Sequence, residues 1–212
     1  MSAKHSQSFW VGIFIALNLL VSVALADTAP ATTSEPAANA TPIDPKKLVE
    51  QAENALDRQD LTAAVKLYFQ AAELNYTPAQ VKTGEFADAA QYYDAAVGWY
   101  IMAAMQGDAA GQYHLAKMYQ LGNGIEQDEA KASYWYRRSA AKNFVPALKI
   151  LAGAYRHGTL GVKIDLEQAK AWEAKIARLD AIERKIVDEK LAELAAAQKK
   201  LQEEKAKKAT SE

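Results

Sequence analysis

The side chains that could carry chemistry in this chain are few and poorly grouped. Two histidines, His114 and His157, each lie close to a turn of a repeating pattern described below. Neither stands at a spacing from Glu or a second His that would build a metal site, so both read as surface or satisfied polar residues. Two glycine-bearing stretches, Gly122-Asn123-Gly124 and Gly158-Thr159-Leu160-Gly161, invite comparison with phosphate cradles. Neither follows a strand, and neither carries the Lys-Ser/Thr that a phosphate loop needs; both read as loops between helices. The chain has no cysteine, which excludes disulfides, thiolate metal sites and cysteine nucleophiles. Asp and Glu residues are scattered where helix capping or solvation accounts for them. The residues therefore point to no catalytic group, no cofactor and no metal, and to a protein that is not an enzyme.

The elements around these residues are helical. Ala is abundant, Gly and Pro are scarce and clustered, and the formal net charge of -1 lacks the basic excess of a general nucleic-acid binder. Residues 9–26 form an apolar run ending in Ala24-Leu25-Ala26, behind Lys4. That run is short for a membrane span and carries Asn18, so residues 1–26 read as a secretory signal peptide cut after Ala26. An uncleaved signal anchor, the membrane's only hold on the chain, is the alternative. Either way the remainder is expected to be periplasmic or secreted. Residues 27–45, rich in Ala, Thr and Pro, cannot bury enough surface to offset their ordering entropy and read as a disordered linker.

From residue 46 the apolar spacing becomes helical, and it repeats. Trp135-Tyr136 is preceded by Trp99-Tyr100 at 36 residues, by Leu67-Tyr68 at a further 32, and followed by Trp172 at 37. An alanine stands three before each anchor: Ala64, Ala96, Ala132 and Ala169. Small residues follow at four and five (Ala71-Ala72, Ala103-Ala104, Ser139-Ala140), a turn residue at eight (Asn75, Gly107, Asn143) and a small residue at twelve (Ala79, Gly111, Ala147). Asp60, Asp128 and Asp165 stand seven before their anchors, where they can cap the second helix of a pair. Asp165 with Gln168 has the spacing of a capping box. The Asn and Gly column suits left-handed helix ends, and Pro78 and Pro146 suit the first turn of the next helix. Small residues would let helices approach closely while Trp and Tyr fill the gaps between pairs.

The run from Gly111 through Leu115, Ala116, Tyr119, Gly122 and Gly124 to Asp128, Ala132 and Trp135 resembles a Sel1-like repeat, a relative of the tetratricopeptide repeats. Ala147, Leu151, Ala152, Tyr155, Gly158, Gly161, Asp165, Ala169 and Trp172 match a second copy with one extra loop residue. The earlier copies depart: Thr83 and Ala87 stand where Leu and Tyr belong, the glycine loop is missing, and before Tyr76 only a second helix is recognisable. The resemblance implies an all-α, right-handed solenoid of helix pairs over residues 46–180, with a concave groove lined by first helices. Because exported relatives act as adaptors, it also implies binding of another protein or peptide in the cell envelope. Gln112, Lys117, Lys149 and Arg156 are the candidate groove residues.

No Gly or Pro follows Gly161, so residues 165–208 would make one helix about 66 Å long. Ile176, Leu179, Ile182, Ile186 and Val187 extend an apolar stripe that could cap the stack. Val187, Leu191, Leu194 and Leu201 continue a three- and four-residue spacing, with Gln198 in one seam position. Residues 181–212 are thus either a charged solvated helix, supported by Glu203–Lys207 and Glu204–Lys208 pairs, or a short coiled coil with a partner or with itself. Two functional alternatives stand beside the adaptor: a structural spacer built on this helix, and an enzyme acting on cell-wall material, which rests on the compartment alone.

Overall fold

The structure, a computed structural model, describes residues 43–209, with side chains to residue 203. The expected signal peptide and residues 27–42 of the linker fall outside the described residues, as do the side chains of the Glu204–Lys208 and Glu203–Lys207 pairs beyond residue 203. Among the described residues there are eight helices and no strand: α1 Pro45–Asp57, α2 Leu61–Glu73, α3 Thr77–Ala89, α4 Tyr93–Met105, α5 Ala109–Leu121, α6 Glu129–Ala141, α7 Val145–His157 and α8 Leu166–Ala209. The first seven are each 13 residues long. Each helix packs on the next along the chain, giving the stacked pairs α1–α2, α3–α4, α5–α6 and α7–α8. The chain is a helical-repeat solenoid.

Five of the seven links are three residues long, and one backbone device makes them all. The middle residue takes a left-handed conformation: Gln59, Asn75, Gln91, Gly107 and Asn143 have φ between 61° and 85°. Its own N–H and that of the next residue both donate back to carbonyls of the helix just finished. Asn75 donates to Ala72 at 3.0 Å and Tyr76 to Ala71 at 3.2 Å; Gly107 donates to Ala104 and Asp108 to Ala103, both at 3.0 Å. This is the doubly bonded Schellman stop. Its last residue is at once the N-cap of the following helix, so stop and start share three residues. Asp60 and Asp108 occupy that place and accept from Ala63 and Gly111 at 2.9 and 2.7 Å. Asp44, Asp128 and Asp165 cap α1, α6 and α8 in the same way. Asp165 forms only half of the expected capping box, because its own N–H donates to the Tyr155 carbonyl at 2.8 Å and leaves nothing for Gln168 to bind.

The two longer links, after α5 and α7, leave the helix through Gly122 and Gly158, both left-handed at φ 71°. Gly124 shows why a glycine is needed further along. A Cβ there would stand 2.4 Å from the Tyr93 carbonyl carbon, so the loop lies against the backbone that opens α4. The helix before α2, where the family pattern is not recognisable, forms as α1, as the helical spacing from residue 46 implies, and buries Ala52 and Ala55.

The small-residue columns are the floor of the stack. Ala64, Ala71, Ala72, Ala79, Ala96, Ala103, Ala132, Ser139, Ala140 and Ala147 are all completely buried. Tyr68, Tyr100 and Tyr136 are buried beside them, whereas Trp99, Trp135 and Trp172 are only half-buried. Trp135 packs against both the α4–α5 and the α6–α7 core clusters, so it does bridge units, but the Tyr is the residue the core closes over. A polar column runs alongside. Gln80 and Gln112 are fully buried and aim their amides at the carbonyls of Ala72 and Ala104 at 3.5 and 3.3 Å. At the third junction Leu148 replaces the glutamine, and Lys175 reaches over from α8 to the Ala140 carbonyl at 3.2 Å instead.

These contacts separate two glycines sharply. A Cβ on Gly111 would lie 2.6 Å from the Ala103 Cβ and 3.0 Å from the Ala104 nitrogen, whereas one on Gly98 would meet nothing within 4 Å. Gly111→Ala is expected to destabilise by about 1–3 kcal/mol through overpacking, and Gly98→Ala to stabilise by up to about 1 kcal/mol through helix propensity. Thermal unfolding followed by circular dichroism checks both signs.

Candidate partner-binding face

In α3, α5 and α7 the residues three, six and nine places after the small column follow one another along one side of the helix. They are Lys82, Glu85 and Asp88 on α3; His114, Lys117 and Gln120 on α5; and Ile150, Gly153 and Arg156 on α7. The stacking brings α3 and α5 into register and ties them with a carboxylate–imidazole contact and an ion pair. The Glu85 carboxylate meets His114 Nε2 at 3.3 Å with one oxygen and Lys82 Nζ at 2.8 Å with the other. Asp88 meets Lys117 Nζ at 3.4 Å. At the far end Arg156 pairs with Glu173 of α8.

His114 sits mid-helix, which corrects its expected place near a turn. Its ring stacks on Tyr100 of α4 with centroids 4.8 Å apart and meets the edge of Tyr113 at 5.2 Å. The Nδ1 atom is buried without a hydrogen-bond partner, so Nε2 is the nitrogen that engages Glu85. The His114 bond, followed by the Lys82 contact, holds the Glu85 carboxyl down at about 2 against the burial that opposes it. The same Glu85 bond raises the Lys82 ammonium. Burial pushes the phenols of Tyr100 and Tyr136 far above their ordinary value, with the charges of Asp88 and Glu85 adding to the effect at Tyr100. The Tyr136 hydroxyl still donates to Gln120 Oε1 at 2.7 Å.

The four candidate residues fall into three situations. Gln112 is fully buried and spends its amide on the Ala104 carbonyl, so it offers no surface to a partner. It faces inward because it directly follows Gly111 in the small column. Lys117 is half-buried and committed to Asp88. Lys149 and Arg156 are exposed on α7. Between the latter two stands Gly153, at the place held by Glu85 in α3 and Lys117 in α5, and a Cβ there would meet nothing within 4 Å. The half of the face over α3 and α5 is therefore cross-braced, while the half over α7 is open. Among the described residues no group of three or more His, Asp or Glu could hold a metal ion.

The Sel1 repeat model matches residues 56–76, 88–108, 109–144 and 146–180, more than half of the chain. The chain belongs to the Sel1 repeat family. The two shorter matches contain α2 and α4 but not α1 or most of α3, in keeping with the loss of the glycine loop there. Two solved structures are similar. A Sel1 repeat protein from Oxalobacter formigenes shares 34% identity at a TM-score of 0.59, covering 64% of this chain and 59% of that one. A protective antigen present in uropathogenic Escherichia coli strains, displaying an SLR fold, shares 30% identity at a TM-score of 0.59, covering 64% of this chain and 31% of that one. A curated protein of Rhizobium leguminosarum bv. viciae, named an exopolysaccharide production negative regulator, is 36% identical over an alignment of 94 residues that covers 39% of this chain and 35% of that protein. The chain thus spans about a third of the curated relative it matches.

The Glu85 bracing carries a pH signature. A carboxyl held at about 2 in the fold and near 4.5 when unfolded adds stability that is complete above 4.5 and is lost as pH falls toward 2. Urea titrations at pH 5 and pH 3 should show wild type losing more stability across this interval than Glu85→Gln. Equal losses would mean that Glu85 does not brace α3 to α5.

Proposed function

We propose that this Sel1 repeat protein is an exported adaptor that binds another protein or peptide of the cell envelope through the first-helix face, centred on α7. The observation that carries the reading is the contrast within that face. Over α3 and α5 its charged side chains are spent on each other, while Lys149, Gly153 and Arg156 leave an open, cationic surface at the α7 end. Arg156 holds only an exposed ion pair with Glu173, and such pairs contribute little to stability, about 0–1 kcal/mol. A partner carboxylate can therefore displace Glu173 at small cost, and Arg offers it a two-pronged contact.

Export rests on the apolar run and the Ala24-Leu25-Ala26 motif of the sequence. Among the described residues no helix is long and apolar enough to cross a membrane. The Rhizobium relative is named as a regulator of exopolysaccharide production. A regulator can work by holding other proteins, and the adaptor reading is compatible with that name without importing its pathway. The spacer reading draws on a different observation, the exposed length of α8, and does not compete for the same surface.

A photo-cross-linking residue placed at Lys149 or Arg156 in intact cells should capture one and the same protein, and one placed at Arg137 on the exposed side of α6 should not. Lys149→Glu combined with Arg156→Glu should weaken binding of that protein about tenfold, or about 1.4 kcal/mol, with an unchanged melting temperature. Capture from Arg137 alone, or affinity indifferent to the double reversal, would remove α7 from the interaction.

A further inference from the structure

Helix α8 packs on the stack only along its first part. Trp172, Ile176 and Leu179 lie against the α7 core, and every described residue from 180 to 203 is exposed. That leaves an uncovered apolar stripe on a helix that continues well past the domain. Ile182, Ile186, Val187, Leu191, Leu194 and Leu201 are between 47% and 58% exposed. A stripe of aliphatic side chains at helical spacing, left in water over several turns, is the pattern of a helix that pairs with another helix.

The charge distribution says which. Residues 180–193 carry five acids and three bases, whereas residues 194–209 carry five bases and two acids. The free part of α8 is therefore acidic in its first half and basic in its second. A parallel copy would set acid against acid and base against base. An antiparallel copy sets each acidic half against a basic one and also opposes the two helix dipoles. Placing Leu191 opposite Leu201, with Leu194 opposite Gln198, sets the three leucines of each copy in one seam, with Ile182 and Ile186 off it, and brings Lys190 beside Glu204 and Asp188 beside Gln202 on the flanks.

We propose that the distal part of α8 is a self-association element in which two copies of this chain pair antiparallel, carrying two repeat domains at opposite ends. The pairing is independent of the first-helix face, so it would make the adaptor bivalent whatever that face binds.

The full-length protein tests this by sedimentation across a wide concentration range. The expected result is a monomer–dimer equilibrium that weakens with salt and is abolished by Leu191→Asp with Leu194→Asp, at unchanged stability of the repeat domain. Lys190→Glu should weaken the dimer several-fold, and adding Glu204→Lys should restore it. The chain has no cysteine of its own, so orientation can be read by oxidation. A mixture of Asp188→Cys and Gln202→Cys chains should form a disulfide-linked dimer, and neither variant alone should. A chain that stays monomeric, a dimer that survives the two aspartates, or either cysteine variant linking efficiently to itself would overturn the proposal. So would a Lys190 reversal without effect.

Discussion

Two consecutive small residues near the end of each second helix, Ala71-Ala72, Ala103-Ala104 and Ser139-Ala140, lie completely buried against the start of the helix that follows. Backbone meets backbone there, to the point that even the methyl group of an alanine would not fit at Gly111. The other features of the stack follow from that approach. The carbonyls of Ala72, Ala104 and Ala140 accept the N–H of the left-handed turn residue and face the next element, from which Gln80, Gln112 and Lys175 add a second, side-chain donor. The tyrosines after the anchor columns are then enclosed between helices whose distance is already set. Their aromatic bulk fills the gap that small residues alone would leave.

The same constraint decides what the sequence can reveal. Positions whose backbone demands a residue type are legible without coordinates. Left-handed turns selected Asn75, Gly107 and Asn143, helix N-termini selected Asp60, Asp128 and Asp165, and close approach selected the alanine columns. Where the demand is met by an untypical residue, the pattern fades. Gln59 and Gln91 occupy left-handed turns at φ 61° and 63°, a place where glutamine gives no signal by type, so the first link is legible only as the polar break Arg58-Gln59-Asp60 between two helical spacings. Helix α1 shows in the sequence as the apolar spacing of Leu48, Ala52, Ala55 and Leu56 but carries no family pattern, because it buries only two alanines.

The candidate face was harder to read than the fold, for a geometric reason. Helical spacing places a residue on a side of its own helix but does not say what stands opposite. Gln112 looks like a surface polar residue by type, and its place directly after Gly111 turns it inward, where its amide finds the Ala104 carbonyl. Glu85 and His114, or Asp88 and Lys117, are 29 residues apart, and only the register of stacking pairs them. Once paired they brace the domain and are withdrawn from recognition. The sides of the molecule with least internal work are the α7 end of the first-helix face, held by a single exposed Arg156–Glu173 pair, and the free length of α8. The family supplies a rigid stack, and the individuality of this member lies in those two surfaces.

The central claim is that the stability of the domain resides in the close helix contacts from α2 to α7 and does not extend along α8. Residue-resolved amide hydrogen exchange on dilute protein tests it most directly. The account predicts the slowest exchange in α4, α5 and α6, where the buried alanines and tyrosines meet, and fast exchange beyond residue 180. Slow exchange continuing through residues 181–203 in the monomer, or fast exchange across α4 to α6, would contradict it.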